Sequence, residues 1–301
     1  MIIIAVVGMI IILTTMNLQI SSETLYTAKY INSIKKKETA YYACKSAVNS
    51  ARDYIKAGYK EDPKELYDSL KYLGSVPLNL DTGDIKINIE IQDLERKFSI
   101  NSIVNGDEQE QREHIEYLKR IFNEIGMNST NVNKIADWID SDNNIRLDGN
   151  ENSIKYGSVK NAKMDSLNEL NLIDLVKDDI KDFKESKVEG ADNLDYYLSS
   201  FGLSYSKINI NTANRVLLKS LTDDMTEQDV DSIIEHRPIK NSYELDSIIG
   251  ADTKKVYEMK KFVDYTSKYF QIKANAIYDE ESIIIKAIVD KSGAIVYWGV
   301  E

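Results

Sequence analysis

The chain of 301 residues carries 38 basic and 49 acidic side chains, and this net charge of −11 disfavours a nucleic-acid-binding protein, because binding to phosphates needs a basic face. Its length accommodates two or three modules. A single cysteine, Cys44, excludes an internal disulfide. Two histidines, His114 and His236, leave little basis for a zinc site or a histidine-activated nucleophile.

The N-terminal segment, MIIIAVVGMIIILTTM, is almost wholly apolar, and Leu18 and Ile20 extend it toward the ~20 residues of a membrane-spanning helix. It has neither the basic start nor the small-residue cleavage site of a secretory signal. A buried core helix is the alternative. No glycine or proline occurs between Gly8 and Gly58, and apolar residues recur at helical spacing. We therefore expect one helix over residues 1–57, with Gly58 as its C-cap.

Two regions have the pattern of strands. Isoleucine alternates with polar residues at positions 85, 87, 89 and 91, DLERK is expected to turn the chain, and FSIN is expected to form the returning strand. Near the C-terminus, YFQIKANAIYD, ESIIIKAIVDK and AIVYWGVE predict a meander of three strands. The sequence thus predicts an α+β fold in which residues 58–105 and 266–301 build one sheet. Residues 106–265, whose segments are short and helix-like, form an inserted all-α domain.

The most chemically distinctive stretch is ADWIDSDNNIRLDGNENSIKY, residues 136–156. Counted from its second aspartate, oxygen-bearing side chains fall at positions 1, 3, 5, 9 and 12, as in an EF-hand calcium loop. Arg146, at position 7, is expected to offer only its backbone carbonyl, and Ile145 stands where the EF-hand needs glycine. The candidate calcium ligands are Asp140, Asp142, Asn144, Asp148 and Glu151. A metal-free polar loop is the main alternative, and an acid–base pair formed by Asp140 and Asp142 is a weaker one, because no nucleophile is nearby.

The stretch from Ile210 to Gly250 resembles a helix-hairpin-helix module, which in other proteins binds the DNA backbone. Its hairpin carries Asp223, Asp224 and Glu227 and no glycine, so it would repel phosphate. We expect a helical scaffold braced by Asn209, Asn211 and Thr212, with His236 and Arg237 ending a helix. Its expected core is Val216, Leu217, Leu221, Val230, Ile233 and Ile234.

Taken together and in order, several motifs resemble the K-type minor pilins, including the minor pseudopilin that caps the type II secretion pseudopilus. The motifs are IEIQDLERKFSIN, KIADWIDSD with GNEN, AKMDSLNELNLI, and INTANRVLLKSL with DVDSIIEHR. The resemblance implies a pilin-type α/β domain that packs under a long helix, and an insertion of two small SAM- or helix-hairpin-helix-like modules. It also implies calcium in the insertion, although Asn152 replaces an acidic residue of the family pattern.

The resemblance further implies a place at the filament tip. Ala5 replaces the glutamate usual in pilins, which suits a subunit with nothing ahead of it, because an isolated charge in an apolar bundle is costly. An ordinary membrane anchor is the alternative. The chain is expected to be already trimmed or numbered from its mature end. The residues assigned to the membrane and assembly helix are Ile2, Ile3, Ile4, Ala5, Val6, Val7, Met9, Ile10, Ile11, Ile12 and Leu13.

The predicted function is that of a non-enzymatic minor pilin in the tip or initiation complex of a type IV pilus or type II secretion-like filament. Expected partners are other minor pilins, the major pilin and the cell membrane, with an extracytoplasmic soluble domain and no nucleic acid or small-molecule substrate. The alternative is a DNA-binding receptor at a pilus tip. Adhesion, motility, secretion and DNA uptake remain open as uses of the filament.

Overall fold

The structure, a computed structural model, describes residues 2–61, 66, 78–151, 157–173, 194–200, 207–250 and 253–301, without the side chains of residues 2–10 and 253. The described residues fall into two compact units. The first lies within 1–57, 73–91 and 271–301, and the second within 58–72 and 92–270.

A single long helix, α1 (Ile2–Glu61), begins the first unit and confirms the helical prediction. One face of its second half is buried, at Ala40, Cys44, Ala47, Val48, Ala51 and Ile55. This face packs closely against the sheet, since the sulfur of Cys44 lies 3.1 Å from the carbonyl oxygen of Ile283. Small side chains at Ala40, Cys44, Ala47 and Ala51 permit that approach.

The expectation that Gly58 ends this helix is wrong, because α1 continues to Glu61. The glycine has a packing role instead. A Cβ at position 58 would lie 3.0 Å from Cδ1 of Leu66, tighter than ordinary van der Waals contact. The membrane role of the helix stays a prediction. Within the part of the chain that the structure describes, none of the helices is both long enough and apolar enough for a membrane crossing.

The sheet of the first unit has five strands in the order β1-β2-β7-β8-β9. Their bounds are β1 Leu78–Asp81, β2 Ile85–Asp93, β7 Tyr269–Tyr278, β8 Glu281–Asp290 and β9 Ile295–Val300. The pairs β1–β2 and β8–β9 are antiparallel. Strand β2 is buried at Ile89 and Ile91, and β7 at Phe270, Ile272, Ala274 and Ala276, so the period-2 prediction and the C-terminal meander are confirmed.

The second unit is mainly helical. Its α-helices are α2 (Glu108–Glu124), α3 (Asn131–Ile139), α4 (Arg215–Lys219), α5 (Glu227–Glu235), α6 (Ser242–Ile249) and α7 (Thr253–Phe262). Short 3-10 segments span Leu94–Arg96, Ile100–Val104, Leu167–Asn171 and Leu194–Tyr196. Side chains cap most of these helices. For example, Asp107 accepts from the amides of Gln109 and Glu110, and Thr226 forms a capping box with Asp229.

Two short parallel strand pairs also lie in the second unit. Strand β3 (Phe98–Ser99) pairs with β4 (Leu198–Ser199), and β5 (Ile208–Asn209) pairs with β6 (Val263–Asp264). The prediction that the FSIN motif returns along the main sheet is therefore wrong. The motif pairs with a segment about 100 residues later, a long-range partner that local periodicity cannot identify.

Candidate metal centre

The acidic loop begins where α3 ends. The helix buries Val132, Ile135, Ala136 and Ile139 against the core of the second unit. Asp137 lies on another side of the helix, toward the loop that contains Arg146, and also has no exposed surface. Asp140 then leaves the helix with an extended backbone and is only 8% exposed. The fold therefore holds two carboxylates away from solvent, and buried charges of one sign require a partner.

Three carboxylates meet in this loop: Asp137, Asp140 and Glu151. One oxygen from each lies within 4.8 Å of the others. We call these three residues the carboxylate cluster. Oxygen atoms this far apart can be bridged by one cation at the 2.3–2.6 Å distances typical of calcium.

The carboxylate cluster contains one positive charge of its own. Nη1 of Arg146 donates a hydrogen bond to Oδ1 of Asp137 at 2.8 Å and a second one to Oδ2 of Asp140. The backbone amide of Arg146 donates to the other oxygen of Asp137 at 3.3 Å. Three carboxylates against one guanidinium leave a net charge of −2, which one divalent cation would neutralise.

Some oxygens of the carboxylate cluster have no hydrogen-bond donor. Oδ1 of Asp140 and both carboxylate oxygens of Glu151 are buried without a partner among the described residues. Burial raises the pKa of both side chains, and the neighbouring carboxylates raise that of Glu151 further. Unpartnered buried oxygens beside like charges fit a site that accepts a hard cation.

Gly149 shapes the same loop. A Cβ at this position would lie 1.9 Å from Oδ2 of Asp137 and 2.9 Å from the carbonyl oxygen of Arg146. No side chain fits there, so glycine lets the loop backbone close over the carboxylate. The donor set, the orphaned oxygens and this close approach all fit a calcium ion.

The structure brings together only two of the five predicted ligands, Asp140 and Glu151. Asp142, Asn144 and Asp148 are exposed, and the carboxylate of Asp142 accepts from the amide of Asn144 within the loop. Sequence reasoning missed Asp137. The signal that could have found it is its position three residues before Asp140, in the last turn of a predicted helix.

The module from Ile210 to Gly250 has braces of the kind that the sequence predicted. The side-chain amide of Asn211 donates to the carbonyls of Ile239 and Tyr265, each at 2.9 Å. Of its predicted core, Leu217, Leu221, Val230 and Ile233 are fully buried, and Val216 and Ile234 are partly buried. Helix α5 ends at Glu235, with His236 as its cap.

The hairpin of this module presents negative charge. Asp223, Asp224 and Glu227 are exposed, and Arg215 is held by Glu227 at 2.8 Å and by Asp231 at 2.6 Å. A cation already paired with carboxylates on its own module offers little attraction for phosphate. This geometry favours a scaffold.

The residues assigned to the assembly helix lie at the start of α1. Ile2 to Ile10 are helical in backbone, and their side chains lie outside the described residues. Ile11, Ile12 and Leu13 are each close to 60% exposed.

Comparisons with known proteins agree with the fold and with the inserted unit. Residues 96–183 and residues 208–253 each match a family model described as type II secretion system (T2SS), protein K. A chain in the crystal structure of the GspK-GspI-GspJ complex from the type 2 secretion system of enterotoxigenic Escherichia coli shares the fold, with a TM-score of 0.65 and 14% sequence identity. The match covers 89% of this chain and 99% of that chain. No curated protein matches the chain.

The family matches span the carboxylate cluster and most of the braced helical module. The structural likeness, at its low identity, shows the fold. The resemblance predicted from the sequence motifs is therefore confirmed over these two segments, which are similar to protein K of type II secretion systems.

Proposed function

We propose that this chain is a minor pseudopilin that acts in the tip or initiation complex of a type II secretion-like or type IV pilus filament. The observation that carries the proposal is its architecture. A long helix packs on an antiparallel sheet, and the chain between β2 and β7 matches protein K. The chain of similar fold was solved in a complex of GspK, GspI and GspJ, so the proposed partners are other minor pilins, followed by the major pilin.

The surface of α1 supports an assembly role. Over Ile11–Ile34, large apolar side chains are exposed around the whole helix, including Leu25 at 64%, Tyr26 at 74% and Tyr30 at 68%. Contiguous exposed apolar surface of this kind marks a site of contact with protein or lipid. Packing against the helices of neighbouring pilins, or residence in a membrane before assembly, would bury it.

The test is co-purification of the full chain with the minor pilins of the same organism. Leu25→Asp places a charge in the apolar surface of α1 and is expected to reduce recovery of the partners at least tenfold. Asn32→Asp adds the same charge at an exposed polar position of the same helix and should leave recovery within about twofold. Equal recovery with both variants, or no recovery of any pilin by the unaltered chain, would reject the proposal.

We further propose that the carboxylate cluster binds one calcium ion. The support is the net charge of −2, the unpartnered oxygens of Asp140 and Glu151, and the close approach at Gly149. The ion would connect the end of α3 to Glu151, eleven residues after Asp140, and so stabilise the folded insertion. The role proposed for the chain is structural, at the cell membrane before assembly and at the extracellular filament tip afterwards.

A further inference from the structure

The guanidinium of Arg146 lies where a bound cation would neutralise the carboxylate cluster. A single nitrogen, Nη1, donates to Asp137 and to Asp140 at once, and the backbone amide of the same residue donates to Asp137. The side chain of Arg146 is 26% exposed, whereas those of Asp137 and Asp140 are 0% and 8% exposed. The guanidinium is therefore more accessible to solvent than the two acids that it neutralises.

Arg146 does not satisfy the whole cluster. Among the residues that the structure describes, Glu151 has no partner for either of its buried oxygens, and Asp140 has none for one. The positive charge is thus sufficient to hold two acids together at the end of α3 but insufficient for all three. A bound calcium ion would neutralise the negative charge that the guanidinium leaves in the cluster.

A calcium ion and the guanidinium of Arg146 compete for the carboxylate oxygens of Asp137 and Asp140. An ion bridging all three carboxylates would stand beside Nη1, because that nitrogen already contacts oxygens of two of them. Like charges at such short distance repel strongly in a site that is partly shielded from water. Binding of the ion is therefore favoured when the guanidinium leaves, which its partial exposure permits.

We infer that Arg146 is a built-in counter-cation that holds the loop together without metal and that calcium displaces when it binds. The inference rests on the calcium site proposed above and adds a regulator to it. Each binding event must break the hydrogen bonds between Arg146 and the carboxylates, so Arg146 weakens the site for calcium. Calcium loops with a Kd of about 0.1–1 mM respond to extracellular calcium. A competing side chain weakens a tighter site into that range.

The experiment measures calcium binding to the full chain by titration calorimetry, with Arg146→Gln, Arg146→Lys and Arg215→Gln as variants. Arg146→Gln removes the charge and is expected to tighten calcium binding by about tenfold or more. Arg146→Lys keeps the charge and should bind within about threefold of the unaltered chain. Arg215 also joins two carboxylates, Glu227 and Asp231, but lies outside the loop, so Arg215→Gln should leave calcium affinity unchanged.

Melting of the same proteins gives an independent readout. In chelator, Arg146→Gln is expected to lower the melting temperature by about 2–4 °C more than Arg215→Gln, and saturating calcium should remove this difference. Calcium binding that is unchanged or weaker in Arg146→Gln would overturn the inference. So would a variant that fails to fold even with calcium, because the guanidinium would then be needed beside the ion.

The failure of each proposal has its own signature. If neither the unaltered chain nor Arg146→Gln binds calcium, both the calcium site and the displacement are rejected. If only Arg146→Gln binds it, the guanidinium excludes calcium and is not displaced by it, so both the calcium site of the unaltered chain and the displacement are rejected. Neither result alters the proposed role in filament assembly, which the partner recovery described above tests separately.

Discussion

The side-chain amide of Asn209 donates a hydrogen bond to the buried carboxylate of Asp93, at 3.0 Å and across 116 residues of sequence. Asp93 ends β2, and it also accepts from the hydroxyls of Thr212 and Ser267 and from the amide of Glu95. Asp93 thus accepts hydrogen bonds from three segments: the start of the inserted unit, the braced module and the chain just before β7. The carboxylate is 4% exposed.

Substitution of this acceptor should destabilise the second unit. Asp93→Ala leaves the buried amide of Asn209 without one of its acceptors and removes an acceptor from two hydroxyls, so we expect a loss of about 3 kcal/mol in the free energy of unfolding. Urea titration of the full chain measures it. Asp81→Ala removes an exposed acceptor of a single backbone amide and serves as the control. A loss no larger than that of the control would contradict the central role of Asp93.

A second prediction concerns the pH dependence of stability. Burial, followed by the negative charge of Asp93, raises the pKa of Glu95 to about 8, against an unperturbed value of 4.5. Between pH 4.5 and 8 the folded chain therefore binds a proton at Glu95 that the unfolded chain has lost. Stability must fall as pH rises through this window, by up to about 1.4 kcal/mol per pH unit.

Glu95→Gln should remove this contribution to the slope, because glutamine does not titrate and its carbonyl can still accept from the amide of Lys268. Urea midpoints at pH 5, 6, 7 and 8 compare the two proteins. Parallel loss of stability in both would show that Glu95 is not the group responsible.

The third prediction concerns Asn101, which is fully buried in the segment matched by the first family model. Its amide nitrogen donates to the carbonyls of Met164 at 2.9 Å and Ser200 at 3.0 Å, and its oxygen accepts from the amide of Met164 at 2.8 Å. Asn101→Ala should cost about 2–4 kcal/mol, because it leaves these backbone groups buried and unsatisfied. Asn79→Ala, at an exposed position of β1, is the control. Similar unfolding midpoints for the two variants would disprove the bracing role.

The fourth prediction separates the carboxylate cluster from the EF-hand pattern. Calcium should raise the melting temperature of the full chain relative to chelator, and Glu151→Ala should abolish this shift, because Glu151 supplies two of the unpartnered oxygens. Asp137→Asn should reduce it strongly. Asp148→Asn should not, since Asp148 is exposed and lies outside the cluster. A shift that depends on Asp148 and not on Asp137 would favour the EF-hand arrangement instead.

Local patterns predicted much of the fold. The alternation from Ile85 to Ile91 and the unbroken helical spacing through Cys44 and Ile55 each reflect burial of one face, and burial of one face has a fixed period. Gly58 and the FSIN motif were misread for a common reason. In each case the deciding contact lies outside the motif itself. Gly58 is in contact with Leu66, which follows the helix, and Phe98 pairs with Leu198, which lies 100 residues later.

The candidate site was predicted in place but not in detail. Oxygen spacing located Asp140 and Glu151, because a loop must supply ligands at intervals. The spacing could not show that the loop buries Asp137, or that the side chain of Arg146 folds back onto the acids. Both depend on the path of the loop, which Gly149 allows to close on Asp137.

The central claim, membership of a minor pilin complex, is tested most directly by crosslinking. A photoreactive residue replaces Tyr30, which is 68% exposed on α1, in full-length protein produced alongside the other pilins of its organism. We predict covalent adducts with other minor pilins, and their loss when Leu25→Asp is added. If no adduct with any pilin forms in cells that assemble the filament, membership of a minor pilin complex is contradicted.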